Sequence, residues 1–218
     1  MKLLLTSNGL CNKSIVNALA DLLGKPFEKS TLAFVPTAAN VEIGRKQWLI
    51  NDMDNCVKAG FATVDIVDIS ALPKSLWQPR LDVADVMLFG GGNTFYLRSW
   101  FRKSGLEKLL PKYLKTKIYV GISAGSMVTG QKIILSDAKK LYYPTIKGFK
   151  DDEGLKLVDF SVRVHFNSDF FPNVRHNVIA KIAKKSPEAI YAIDDESAIK
   201  VVDGKIEVVS EGEFLKFN

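Results

Sequence analysis

Short apolar runs recur through the first half of the chain, and each ends in a loop of small or polar residues. Leu3-Leu4-Leu5 runs into Thr6-Ser7-Asn8-Gly9, and Thr31–Val35 is closed by Pro36 and Thr37-Ala38-Ala39-Asn40. Asp85–Phe89 enters Gly90-Gly91-Gly92-Asn93-Thr94, and Ile118–Gly121 enters Ile122-Ser123-Ala124-Gly125-Ser126. Apolar runs of this length bounded by turn formers read as buried strands. Between them lie stretches of helical period. Ser14–Leu23 repeats Ile15, Leu19 and Leu22-Leu23 before Gly24 and Pro26, and Glu42–Lys58 places Trp48, Leu49, Met53 and Cys56 roughly on one side before Gly60. Ala62–Ile66 supplies a further strand. Strands alternating with helices of this length form a parallel sheet with right-handed crossovers, which concentrates sites beyond the carboxyl ends of its strands.

The pattern loosens after Met127. Ile133–Leu135, Ser161–His165, Ala189–Ile193, Ala198–Val202 and Ile206–Val209 read as strands, with a helix from about Val174 to Lys184. Val202-Asp203-Gly204-Lys205 is a hairpin turn, so the end of the chain should add an antiparallel pair. The expected fold is α/β, with a mostly parallel central sheet and a C-terminal antiparallel hairpin. No repeat, low-complexity tract or linker divides the 218 residues, which read as a single domain spanning 1–218.

Thirty Lys and Arg against 24 Asp and Glu leave a net charge of +6, spread along the chain. The densest runs, Lys139-Lys140 and Lys184-Lys185, are too short to track a phosphate backbone, so nucleic acid is not an expected partner. Cys11 and Cys56 lack the close spacing of a zinc or redox motif, and Asp151-Asp152-Glu153 has no histidine nearby and reads as a solvated face. Neither a metal nor a cofactor is implied. The opening MKLLLTSNGL is too short an apolar run for a signal peptide, and no segment approaches the apolar length of a membrane span. The expectation is a cytoplasmic protein.

The sharpest chemical signal is Gly121-Ile122-Ser123-Ala124-Gly125 after a strand. A nucleophilic hydroxyl must be thrust out of the backbone at a tight corner, and small residues two positions to either side let neighbouring chains approach. The Ala124 amide would point at developing negative charge. Such a segment could also be a structural turn or phosphate cradle, but neither a GxxxxGK[ST] loop nor GxGxxG spacing is present. Gly90-Gly91-Gly92 offers a second strand-end loop whose spare amides suit either an oxyanion or a phosphate, although it lacks GxGxxG spacing, with a plain flexible loop as the structural alternative.

Serine needs a base, and the chain has two histidines, His165 and His176. His165 closes a strand-like run and opens the polar loop Phe166-Asn167-Ser168-Asp169, whereas His176 falls in the first turn of a helix and reads as an exposed surface residue. The carboxylate that would orient the imidazole is open among Asp194, Asp195, Glu196 and Asp137, because spacing cannot choose. With the later acid, the order Ser, His, Asp differs from that of the α/β-hydrolases.

These residues closely resemble peptidase family S51, which contains bacterial aspartyl dipeptidase and, more distantly, cyanophycinase. The resemblance is carried by Ala33–Ala38, Leu88–Phe95, Gly121–Ser126, His165-Phe166 and Ile193–Ile199. It implies a class I glutamine-amidotransferase-like three-layer sandwich, with Ser123 as nucleophile and His165 as base. The family's third residue falls on Asp195, where relatives commonly carry glutamate; an aspartate after the serine elbow, also described, would be Asp137. The resemblance further suggests Gly91, Gly92 and Ala124 as the oxyanion hole. It also places Arg175 at the basic position that holds a substrate carboxylate, although the glycine- and threonine-bearing stretch expected before it is missing.

The resulting expectation is a serine peptidase cleaving short peptides through an acyl-enzyme, with N-terminal aspartyl dipeptides as the sharpest form. An amidase or cyanophycinase-like hydrolase and a non-catalytic ligand-binding protein are the competing readings. The expected partner is a small peptide, with a homodimer left open against a monomer.

Overall fold

A computed structural model describes residues 1–143, 148–149 and 152–218. Twelve strands and eight α-helices follow one another among these residues. The chain begins with β1 (Lys2–Thr6), α1 (Lys13–Leu23), β2 (Thr31–Val35), α2 (Gln47–Lys58), β3 (Thr63–Ile66), α3 (Lys74–Val83), β4 (Val86–Phe89), α4 (Thr94–Lys103), α5 (Leu110–Tyr113) and β5 (Ile118–Ile122). It continues with α6 (Ala124–Met127), β6 (Lys132–Ile133), α7 (Leu135–Leu141), β7 (Asp152–Glu153), β8 (Ser161–Arg163), α8 (His176–Ala183), β9 (Ile190–Ile193), β10 (Ser197–Val202), β11 (Lys205–Ser210) and β12 (Phe214–Phe217).

Seven strands form the central sheet in the order β11-β10-β1-β5-β4-β2-β3. The five from β1 to β3 in that order run parallel, while β10 is antiparallel to both β1 and β11. The expected C-terminal hairpin is present and extends the sheet beyond β1. A second sheet, β12-β9-β8, pairs β8 with β9 in parallel and β9 with β12 antiparallel, and β6 pairs with β7.

Apolar runs in the central strands follow from burial on both faces, because successive side chains point to opposite sides. Leu3, Leu5, Ala33, Val35, Met87, Phe89 and Tyr119 face one core, shared with Trp77, Phe101 and the small sheet's Val162 and Tyr191. Leu4, Leu32, Phe34, Val86, Leu88, Ile118 and Val120 face the other, shared with Ile15 and Leu19 of α1 and Cys56 of α2. This is an α/β sandwich with a mostly parallel central sheet. No helix among the described residues is long and apolar enough to cross a membrane.

The helix expected from Glu42 begins only at Gln47, because Thr37–Val41 forms a 3-10 turn and Gly44 adopts a left-handed φ of 95°. The strand expected at Ile133–Leu135 is confined to Lys132–Ile133, and Leu135 already opens α7 with Asp137 in its first turn. Asp152–Glu153, expected as a solvated face, pairs as β7 with β6, and Asp151 lies outside the described residues.

Candidate active site

Five chain segments converge beyond the carboxyl ends of the strands. From β5 the chain passes through Ser123 into α6 at φ 49° and ψ −104°, a backbone conformation that L residues rarely adopt. Two close approaches make the corner. A Cβ on Gly121 would lie 2.6 Å from the Gly125 carbonyl, and one on Gly125 would lie 2.0 Å from the Phe89 oxygen of β4. The end of β1 fastens it, since the Thr6 carbonyl accepts from the Ser123 amide at 3.1 Å and from Ser126 Oγ at 2.7 Å.

Across from this corner stands His165, its Nε2 2.9 Å from Ser123 Oγ. Its Nδ1 lies 2.6 Å from Asp195 Oδ1, beyond the end of β9. His165 itself has a φ of 59°, and the Phe166 amide donates to Ile193 O, so the loop turns the ring back over the sheet. Phe171 stacks on the imidazole at 4.4 Å between ring centres, 14° from parallel.

Ser7, at the end of β1, ties these parts together. Its Oγ donates to Asp195 Oδ1 at 2.8 Å, lies 3.3 Å from His165 Nδ1, and accepts from the His165 amide at 2.8 Å. Burial alone would push the Asp195 carboxyl up, but hydrogen bonds from His165, Ser7 and Ser168 and the attraction of the imidazole hold it below the usual carboxylate range. The Asp195 loop is pinned from below by Cys11 Sγ on Asp195 O and Asn12 Nδ2 on Glu196 O.

The other acids occupy different places. Asp194 accepts from the Glu196 and Glu213 amides and from Ser197 Oγ, which makes it the brace of its own turn. Glu196 is exposed. Asp137 sits on α7 with Oδ2 3.5 Å from Arg163 Nη2, away from the imidazole. His176 opens α8 and is exposed.

The glycine loop after β4 lies against the serine. An added Cβ on Gly91 would stand 3.5 Å from both Ser123 Cβ and the Trp48 ring. Gly92 takes φ 124° and is packed so closely on Ala38 that a side chain there would strike the Ala38 carbonyl at 2.3 Å. Asn93 closes the loop by capping α4, its Oδ1 accepting from the Tyr96 amide. The amides of Gly91, Gly92 and Ala124 donate to no protein acceptor among the described residues. Arg175 caps the histidine loop instead of standing free, its Nη1 donating to the carbonyls of Ser168, Phe171 and Val174.

Ser7, Phe171 and Trp48 are the residues of this site that sequence reasoning passed over. Ser7 had one available signal, its place in the loop after a central strand. Groups of three or more His, Cys, Asp or Glu able to hold a metal are absent among the described residues.

A parallel α/β sheet that carries a serine, imidazole and carboxylate relay beyond its strand ends has the construction of a serine-type hydrolase. Within that class the chain belongs to peptidase family S51, whose family model matches residues 3–209. An uncharacterized peptidase of Listeria monocytogenes is 28% identical over 174 residues, covering 78% of this chain and 80% of that one. Peptidase E of Haemophilus influenzae strain PittGG is 25% identical over 208 residues, covering 93% and 82%. Among solved structures, a candidate peptidase E from Listeria monocytogenes superposes with a TM-score of 0.79 at 24% identity, covering 97% of this chain and 98% of that one, which establishes the shared fold.

Proposed function

We propose that the chain hydrolyses short peptides through an acyl-enzyme formed on Ser123. The observation that carries this reading is the continuous path from Ser123 Oγ through His165 to Asp195, with contacts of 2.9 and 2.6 Å. In this reading Ser123 Oγ attacks the scissile carbonyl while His165 Nε2 takes its proton. The carbonyl oxygen, now negative, is held by the amides of Gly91, Gly92 and Ala124. His165 returns the proton to the departing amine, and water then releases the acyl group by the same steps. Asp195 fixes the imidazole so that Nε2 faces the serine, and it stabilises the imidazolium.

Selectivity for an N-terminal aspartate is the sharper form of the proposal and rests on Arg175. Its Nε and Nη2 make no hydrogen bond among the described residues and remain for a bidentate carboxylate. The peptidase E relatives support the peptide substrate class. The test is a panel of dipeptides with Asp, Asn, Ala and Leu at the N-terminus, assayed with the natural chain and with Ser123→Ala. Hydrolysis of at least one dipeptide, abolished in the variant, is the expected result. Equal rates in the two proteins overturn the mechanism, and indifference to Asp against Asn removes the aspartyl refinement.

A further inference from the structure

One buried acid beside the site is left unexplained by this mechanism. Asp52, on α2, is only 5% exposed, and among the described residues its carboxyl has neither a hydrogen-bond donor nor a cation beside it. A carboxylate withdrawn from water without a partner is costly, and such groups are usually paired. Burial accordingly pushes the Asp52 carboxyl up to about 7.

Its position relates it to the site. Asp52 follows Trp48 by four residues, so both lie on one helix face. A Cβ on Gly91 would touch both Trp48 and Ser123, while one on Gly9 would stand 3.2 Å from Asp52 Oδ1 and 3.0 Å from Ile122 Cδ1. Ile122 is the residue before Ser123, and Gly9 belongs to the loop whose Ser7 bonds His165 and Asp195. Asp195 and Glu196 lie near the same corner. The Cys11 thiol is raised to about 11 first by burial, against the lowering effect of its own backbone hydrogen bond, and then by the charges of Asp195, Glu196 and Asp52.

We propose that Asp52 binds an ammonium group of the substrate peptide, supplied by its free N-terminus or by a lysine side chain. This rests on the peptide-substrate reading above. An ammonium offers three donors and a full positive charge, and supplies both things the carboxyl lacks. A blocked terminus offers neither, so the contact selects which peptides settle against Ser123.

The experiment uses binding, which survives removal of the nucleophile. Calorimetry on Ser123→Ala is run with Asp-Leu, Ala-Leu and Lys-Leu, each free and N-acetylated, and repeated in Ser123→Ala combined with Asp52→Asn. Melting temperatures confirm that both proteins are folded, and Asp52→Glu provides a conservative replacement that keeps the charge. The expected result is that acetylation weakens binding at least tenfold when Asp52 is present and has no effect when it is Asn. If acetyl-Lys-Leu binds as tightly as Lys-Leu and loses affinity in Asp52→Asn, the ammonium is that of the side chain. Equal losses for free and acetylated Asp-Leu and Ala-Leu in Asp52→Asn, no loss for any peptide, or no binding of any peptide, overturn the proposal. Hydrolysis is read separately on the natural chain, so a failure of the peptidase reading is distinguished from a failure of this one.

Discussion

The hydroxyl proposed as nucleophile is carried by one residue in a conformation that ordinary turns avoid. Ser123 at φ 49° holds its side chain toward His165, and the surrounding contacts over-determine that geometry. Ser123→Ala should therefore keep the fold and lose roughly 10⁴-fold or more in kcat, measured on whichever dipeptide is turned over best. Asp195→Asn should lose roughly 10³- to 10⁴-fold with KM little changed, because the wrong tautomer of His165 then faces the serine. Ser7→Ala should cost about tenfold in kcat, the loss of one hydrogen bond to a charged group. The serine and histidine were legible because Gly-Ile-Ser-Ala-Gly follows a strand and histidine is scarce. Asp195 was not separable by spacing from its neighbours, since three consecutive acids differ only in where a turn points them. Asp194 is used up bracing that turn, and no pattern along the chain announces which member does so.

At the scale of the element, the corner between β5 and α6 depends on two glycines that touch other backbone. Gly125→Ala would drive a methyl into the Phe89 carbonyl of β4, so the strand pair and the corner cannot both keep their places. The expected destabilisation is about 3 kcal/mol, read as a shift in urea midpoint, with activity lost as well. Central strands were legible because burial on both faces makes them apolar throughout, and Leu3-Leu4-Leu5 divides between two cores as that rule requires. The start of α2 was not, since helical spacing counted through Gly44 ignores a left-handed φ. β12 was missed as well. Phe214–Phe217 pairs with β9 in the second sheet, and a partner that distant leaves no local signature.

For the whole molecule, two carboxyls shifted in opposite directions make stability depend on pH with opposite signs. Asp195 is held below its unfolded value, so its contribution is present above about pH 4 and lost as pH falls through the folded value. Asp52 is raised from 3.8 to about 7, so it weakens the fold progressively as pH rises between those values. Asp52→Asn should consequently be more stable than the natural chain by a few kcal/mol at pH 8, and equal to it near pH 4, as urea unfolding at the two pH values would show. The most direct test of the central claim is covalent. A fluorophosphonate applied to the folded protein between pH 6 and 9, followed by peptide mapping, should place a single adduct on Ser123 and abolish dipeptide hydrolysis in proportion to labelling. Full dipeptide hydrolysis by a protein whose Ser123 is quantitatively labelled would contradict the account.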